Sequence, residues 1–306
     1  MKCGAEDLSK ETLTREIKEL AYAVGADLVG IAPVNRFDEG PKELHPKAYM
    51  NDAQCVIVIL MGIPYAIGEV WGYRVEEGVE RYMDAWGRET INPKTAGPYL
   101  WLGYGLLNYE LNFAAARVAR FVERQGYKAL PIPATGMPHR FFQMGDFSHR
   151  HAAVAAGLGE LGWNRLLITP QFGAYQRLIS VITNVPLEGD PMYEGPLLCD
   201  REKCGDKCVE NCPVNAFVGE VSCRIGGREF RYSGLDQLRC RWAVAGLHRG
   251  TGSITHVDIP ENPTRKDLAE ALKKRDMRDN QMFIFGNVNF CGRCLHVCPS
   301  AKYRGW

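Results

Sequence analysis

The chain has 306 residues, 46% hydrophobic and 24% charged, a globular composition that excludes a disordered or collagen-like protein. With 37 basic and 36 acidic residues its formal charge is +1, so no strong global field is available to hold a nucleic-acid backbone or an anionic membrane. No apolar run approaches the roughly 18 residues of a spanning helix, and Met1 to Leu20 carries acidic residues without an apolar block, so a soluble, cytoplasmic protein is expected.

Leu13, Ile17, Leu20, Ala21 and Val24 recur at three- and four-residue steps, which predicts a helix ending at Gly25. Asp27 to Ala32 then reads as a strand entering a loop at Pro33. Cys55 to Leu60 is apolar on both faces and β-branched, the pattern of a central strand covered on each side. Residues 62–100 are rich in Gly, Pro and aromatics (Tyr65, Trp71, Tyr73, Tyr82, Trp86, Tyr99), with a short helix expected near Val75 to Trp86. Leu107, Leu111, Ala114, Val118 and Phe121 mark a long helix that stops at Gly126. Tyr127 to Ile132 is a further strand, Ala152 to Gly162 a small-residue helix and turn, and Leu166–Thr169 and Leu178–Thr183 are strands joined through Pro170–Gly173. A domain boundary near Pro196 divides the chain into 1–196 and 197–306.

Cysteine distribution supports that division. There are 11 cysteines, of which only Cys3 and Cys55 precede residue 199. An odd number without an export signal argues for metal or redox chemistry over a disulfide framework. One run is Cys199, Cys204, Cys208 and Cys212 before Pro213; the other is Cys291, Cys294 and Cys298 before Pro299. In ferredoxin modules with two clusters, the last cysteine of a run, before Pro, reaches the neighbouring cluster. Cys240 completes the count, giving Cys199, Cys204, Cys208 with Cys298, and Cys240, Cys291, Cys294 with Cys212, each set suited to one [4Fe–4S] cluster. The first run is wider than the bacterial ferredoxin pattern, with four, three and three residues between its cysteines. Structural zinc is the rival reading, since four thiolates can also hold one tetrahedral ion. Cys3 and Cys55 read as a terminal residue and a buried small hydrophobe, and Cys223 as a packing residue.

The stretches Gly25–Ala32, Ala155–Pro170 with its Gly-Leu-Gly-Glu-Leu-Gly, and Val181–Leu187 resemble epoxyqueuosine reductases and the cobalamin-dependent reductive dehalogenases. Leu235–Cys240 also resembles their lone-cysteine motif. The resemblance implies an α/β, nitroreductase-like corrinoid-binding domain followed by a ferredoxin-like module with two [4Fe–4S] clusters. It implies base-off cobalamin as cofactor, with FMN the alternative. Gly157, Leu158, Gly159, Trp163, Asn164 and Thr169 would then border the cofactor. Gly103-Tyr104 resembles the dehalogenases' Gly-Tyr, whose tyrosine donates the proton, and Asn108 falls where simple counting would put that donor.

Tyr104 and Asn108 lie one turn ahead of Leu107 and Leu111 and share their inward stripe. A phenol gives up its proton more readily beside a cation that stabilises the phenolate, and Arg165 is the candidate cation. A core aromatic bonded to a carbonyl is the alternative role for Tyr104, and Tyr109 a substitute donor on the adjoining face. His139, His149 and His151 are read as hydrogen-bonded residues, because no Asp-x-His-x-x-Gly motif is present.

The expected function is reductive cleavage, of dehalogenation or deoxygenation type, of a small organic substrate, fed by an external donor such as ferredoxin or flavodoxin. The alternative is an electron-transfer protein that reduces a bound flavin or a partner's corrinoid. Epoxyqueuosine reductases often carry a tRNA-binding helical repeat, whereas only eight residues follow Cys298, so nucleic acid is disfavoured as a partner. A homodimer is compatible with this reading.

Overall fold

The computed structural model describes residues 9–67, 82–83, 89–90, 98–135, 145, 147–251, 253, 255–275 and 291–301. Helix α1 (Lys10–Ala23) starts at Ser9, whose hydroxyl accepts from the Thr12 amide, a standard way to satisfy one of the free N–H groups of a first turn. Strands β1 (Leu28–Pro33) and β2 (Cys55–Gly62) follow. Tyr82–Met83 (β3) pairs with Glu89–Thr90 (β4), so this part of the expected Val75–Trp86 helix is extended; the rest of that helix lies outside the described residues. A π-helical stretch, Tyr99–Leu106, leads into α2 (Leu107–Arg124). Next come β5 (Ala129–Ile132), α3 (His149–Ala155), β6 (Glu160–Leu161), β7 (Leu167–Ile168) and β8 (Gln176–Thr183).

One antiparallel sheet of order β1-β2-β8-β5 organises the first two-thirds. Because alternate side chains of a strand point to opposite faces, Ile57, Ile59 and Met61 meet Leu13 and Ile17 of α1 and Leu111 and Val118 of α2. Val56, Val58 and Leu60 meet Ala152–Ala156 of α3. The all-apolar β2 is therefore covered on both sides, as its sequence requires, and its flanking strands run antiparallel to it. Cys55 sits in this core at 3% exposure, a small hydrophobe as expected.

The segment after residue 196 packs onto this core at several places. Two short helices, α4 (Arg201–Cys204) and α5 (Lys207–Glu210), carry the first cysteine run. The hairpin β9 (Phe217–Ile225) and β10 (Arg228–Leu235) places Ile225 and Tyr232 in the core beneath α3. Helix α6 (Gln237–Val244) holds Cys240 and buries Trp242 against Leu268 of α7 (Arg265–Lys273). Helix α8 (Arg293–His296) inserts Leu295 into the α1/α2 side of the core and packs on α5. Among the described residues no helix is long and apolar enough to cross a membrane.

Candidate functional site

The thiols of the C-terminal segment fall into two neighbourhoods. Cys212, Cys240 and Cys291 pack on one small apolar cluster of Val214, Ala216 and Ala243. Burial pushes the Cys240 thiol up to about 12, and Cys291 and Cys212 push in the same direction. Cys291 rises to about 11, by burial first and the charge of Cys212 after it. Cys294 is raised well above the ordinary thiol range by burial, then by Cys291, Cys240 and Cys212. In the other neighbourhood Cys208 is driven to about 12 by burial, then by Cys298, Cys199 and Cys204. Cys199 is raised by burial and by Cys298 and Cys204, against the Trp163 amide that donates to its sulfur at 3.2 Å.

Buried thiols that disfavour each other's ionisation in this way are relieved by a cation that takes thiolates as ligands. Among the described residues no three His, Cys, Asp or Glu side chains converge where a single ion could sit. Each set offers four thiols, a donor chemistry that serves an iron–sulfur cluster or a tetrahedral zinc. Cys223, on β9, stands apart with its thiol on Tyr232, and burial raises it.

A second group of polar side chains gathers at the start of α2. Tyr104 Oη and Thr135 Oγ1 lie 3.1 Å apart. The Arg177 guanidinium stands over the Tyr104 ring, 4.4 Å from its centroid, and its Nε donates to Asn108 Oδ1 at 3.0 Å. Asn108 is 2% exposed, and among the described residues its Nδ2 has no hydrogen-bond partner. A buried donor without an acceptor costs about 1–3 kcal/mol, so Nδ2 is a donor available to an acceptor that enters the site. The cation beside Tyr104 is therefore Arg177 and not Arg165. Arg165 takes a left-handed φ of 66°, which turns its guanidinium away to Ser233 O (2.8 Å) and over the Tyr232 ring. Tyr109, the substitute donor, is 43% exposed on the outer face of α2.

Tyr99 bridges the two regions. Its ring lies 6.5 Å from that of Tyr104 and 4.9 Å, edge-on, from His296, which sits between Cys294 and Cys298 in sequence. Burial pushes its phenol up; Arg177 opposes this, while Tyr104, Cys294 and Cys291 add to it. Tyr175 Oη contacts His296 Nδ1 at 3.0 Å. Neither Arg177 nor His296 was singled out from sequence. The available signal for Arg177 was the single charge in its strand, and for His296 its place inside a cysteine run.

The six residues expected to border a cofactor divide by their contacts. A Cβ on Gly157 would lie 1.9 Å from Pro191 O, and one on Gly159 would lie 2.0 Å from Ile168 O, so both glycines admit the chain's own backbone. Leu158 packs in the core with α3, and Thr169 Oγ1 donates to Gln176 Oε1 at 2.7 Å. Trp163 and Asn164 turn instead to the cysteines, the first through its amide on Cys199 and the second through Nδ2 on Cys294 O at 3.0 Å.

His149 and His151 open α3 and are hydrogen-bonded; His139 lies outside the described residues. His149 Nε2 is 3.1 Å from Pro133 O, which can only accept, so Nε2 carries the proton and Nδ1 accepts from Ser180 Oγ. Burial lowers His149 to about 4 and His151 to about 3. Next to them Arg150 is lowered to about 10 by burial and then by Arg165, whose carbonyl its guanidinium contacts.

No family model matches the chain. Among curated proteins it is similar to the epoxyqueuosine reductase of Staphylococcus aureus, 25% identical over 71% of this chain and 55% of that protein. It is also similar to the tetrachloroethene reductive dehalogenase of Dehalobacter restrictus, 29% identical over 97% of this chain and 50% of that one. The chain thus spans about half the length of these curated relatives. Its fold is shared with a solved reductive dehalogenase of B12-dependent dehalogenation (TM-score 0.54, 18% identity, 99% of this chain, 34% of that chain). It is shared equally with the epoxyqueuosine reductase of Streptococcus thermophilus (TM-score 0.54, 19% identity, 95% and 66%). An epoxyqueuosine reductase solved with a tRNA stem loop has the same fold (TM-score 0.51, 18% identity, 94% and 80%). That relative holds RNA, which conflicts with the expectation from sequence that nucleic acid is disfavoured as a partner.

Proposed function

Because the chain is a relative of the epoxyqueuosine reductases and the reductive dehalogenases, we propose that it is an iron–sulfur oxidoreductase, cobalamin-dependent, which reductively cleaves a carbon–halogen or carbon–oxygen bond. The observation that carries this reading is the pair of four-thiol neighbourhoods beside an orphaned Asn108 amide and the Arg177–Tyr104 stack. Residues 1–196 would form the nitroreductase-like part and 197–306 the ferredoxin-like part. The eight thiolates Cys199, Cys204, Cys208 with Cys298 and Cys212, Cys240, Cys291 with Cys294 hold two [4Fe–4S] clusters, each of which carries one electron at a time.

A corrinoid, when bound, would supply the low-valent cobalt chemistry for cleaving the substrate bond. This chain's part is positioning, electron supply and the proton. The reaction consumes two electrons and one proton: the substrate bond breaks, the leaving group departs as an anion, and the carbon gains hydrogen. Tyr104 Oη gives that proton, Arg177 over the ring stabilises the phenolate left behind, and Thr135 holds the hydroxyl in place. Asn108 fixes the Arg177 head through Oδ1 and offers Nδ2 to an acceptor on cofactor or substrate. Trp163 and Asn164 tie the cofactor side of the molecule to both cysteine runs.

Anaerobic protein reconstituted with iron and sulfide, then mixed with hydroxocobalamin, should retain corrinoid through gel filtration. Retention of FMN in its place would overturn the cobalamin assignment and favour electron transfer to a flavin. Turnover assays with haloaromatic or haloalkene substrates beside an epoxyqueuosine-bearing tRNA stem loop decide whether the substrate is free or carried on RNA.

A further inference from the structure

The two thiol sets sit in unequal electrostatic surroundings. Around Cys199, Cys204 and Cys208 two basic side chains have carboxylate partners: Arg201 grips Asp206 through Nε and Nη2 at 2.7 and 2.6 Å, and Lys203 pairs with Asp200 at 3.0 Å. Near the other set stand Arg241 and Arg293, neighbours of its cysteines in sequence, and from the α/β side Arg150 and Arg165. The latter two guanidinium groups spend their donors on neutral carbonyls, Arg150 on Arg165 O and Arg165 on Ser233 O, and neither has a carboxylate within ion-pair distance among the described residues. The structure brings them to the cysteines by two routes. Asn164, next to Arg165, is bonded to Cys294 O at 3.0 Å, and the strand that holds Ser233 continues to Leu235, which packs with Cys240, Cys212 and Cys291. The charge of Arg165 is felt at Cys240 and that of Cys294 at Arg150.

A cluster with four thiolates is an anion that becomes more negative on reduction, so a fixed, poorly screened cation nearby favours the reduced form. Resting on the two-cluster reading above, we propose that Arg150 and Arg165 are positioning residues that hold the potential of the Cys212/Cys240/Cys291/Cys294 cluster above that of its neighbour. An electron from a low-potential one-electron donor protein then passes from the Cys199/Cys204/Cys208/Cys298 cluster, which is reoxidised, to the second cluster, which gains it. It rests there on the side facing Tyr99 and Tyr104. Each step moves one electron and no proton. The arrangement gives the two-cluster wire a direction, inward.

The test is a potentiometric titration of the anaerobic holoprotein followed by electron paramagnetic resonance. The native protein should show two separate one-electron waves. In Arg150→Gln the more positive wave should move so that its reduced-to-oxidised ratio at fixed potential falls about tenfold, or about 59 mV for one electron, while the other stays. Arg150→Lys, which keeps the charge, should restore the native value, a rescue that a purely packing role would not give. Arg165→Gln should act in the same direction and serves as the readout if Arg150→Gln does not take up iron. Coincident waves in the native protein, equal movement of both waves, or movement of neither overturns the proposal. A native protein that reconstitutes with fewer than two clusters overturns the reading beneath it instead.

Discussion

Removing the Tyr104 hydroxyl leaves its ring beneath Arg177 and deletes only the proton and the contact to Thr135. Tyr104→Phe should therefore lower turnover by about 10²-fold or more, the usual worth of a positioned acid, with iron content and the cluster spectra unchanged. Unchanged turnover would remove the phenol from the reaction. Arg177→Met should lower turnover as well, and it also strands Asn108 Oδ1, so it should cost about 1–2 kcal/mol of stability in urea titration. The histidines of α3 act on stability alone. An unfolded histidine takes up a proton near 6.5, whereas burial delays this to about 4 in His149 and about 3 in His151. Between those values the unfolded chain binds more protons, so stability rises with pH there and is lost as pH falls below about 6.5. The urea midpoint should drop from pH 7 to pH 5, and His149→Gln should flatten that slope; an equal slope in the variant would locate the effect elsewhere.

At the level of elements, the turn from α3 to β6 is where the chain has least room. Gly159→Ala would drive a methyl group into Ile168 O, a backbone atom that cannot swing aside, and should destabilise the protein by about 2 kcal/mol or more. Calorimetry should record a drop in Tm of about 5 °C; an unchanged Tm would mean the α3–β6 turn relaxes freely. The same turn shows what sequence can and cannot convey. Helices α1 and α2 and the central strand β2 were legible because apolar periodicity is the physical cause of their burial. Glycines at 157 and 159 announced a close approach but not its partner, which is the protein's own backbone. The π-helical entry to α2 has no periodic signature, and β3 and β4 are too short to alternate, so the segment around Tyr82 read as a helix. Arg177 escaped notice because its meaning lies in a neighbour on another element, Tyr104, which chain order does not supply.

Across the whole molecule the question is how two distant cysteine runs share their ligands. Helix α5 packs on α8, which brings the first run and the second within reach of each other. Cys212 packs on the same apolar cluster as Cys240 and Cys291, and the charge of Cys298 is felt at Cys208, as an exchange of the last cysteines would require. Locally, a ligand set drawn from one stretch of chain would let each half fold around its own cluster. If the Cys-Pro cysteines are exchanged, each cluster would be a clamp across a long loop, and loss of one should loosen both halves. Double substitution separates the two arrangements. Cys298→Ser combined with Cys208→Ser damages a single set if ligands are exchanged, and should leave about half of the native iron and one cluster signal. Cys298→Ser combined with Cys294→Ser then strikes both sets and should leave little iron. If ligands stay within their own runs the two outcomes reverse, so iron analysis of these variants decides the connectivity. A native-like iron content in either variant would mean that the substituted thiols are not ligands at all.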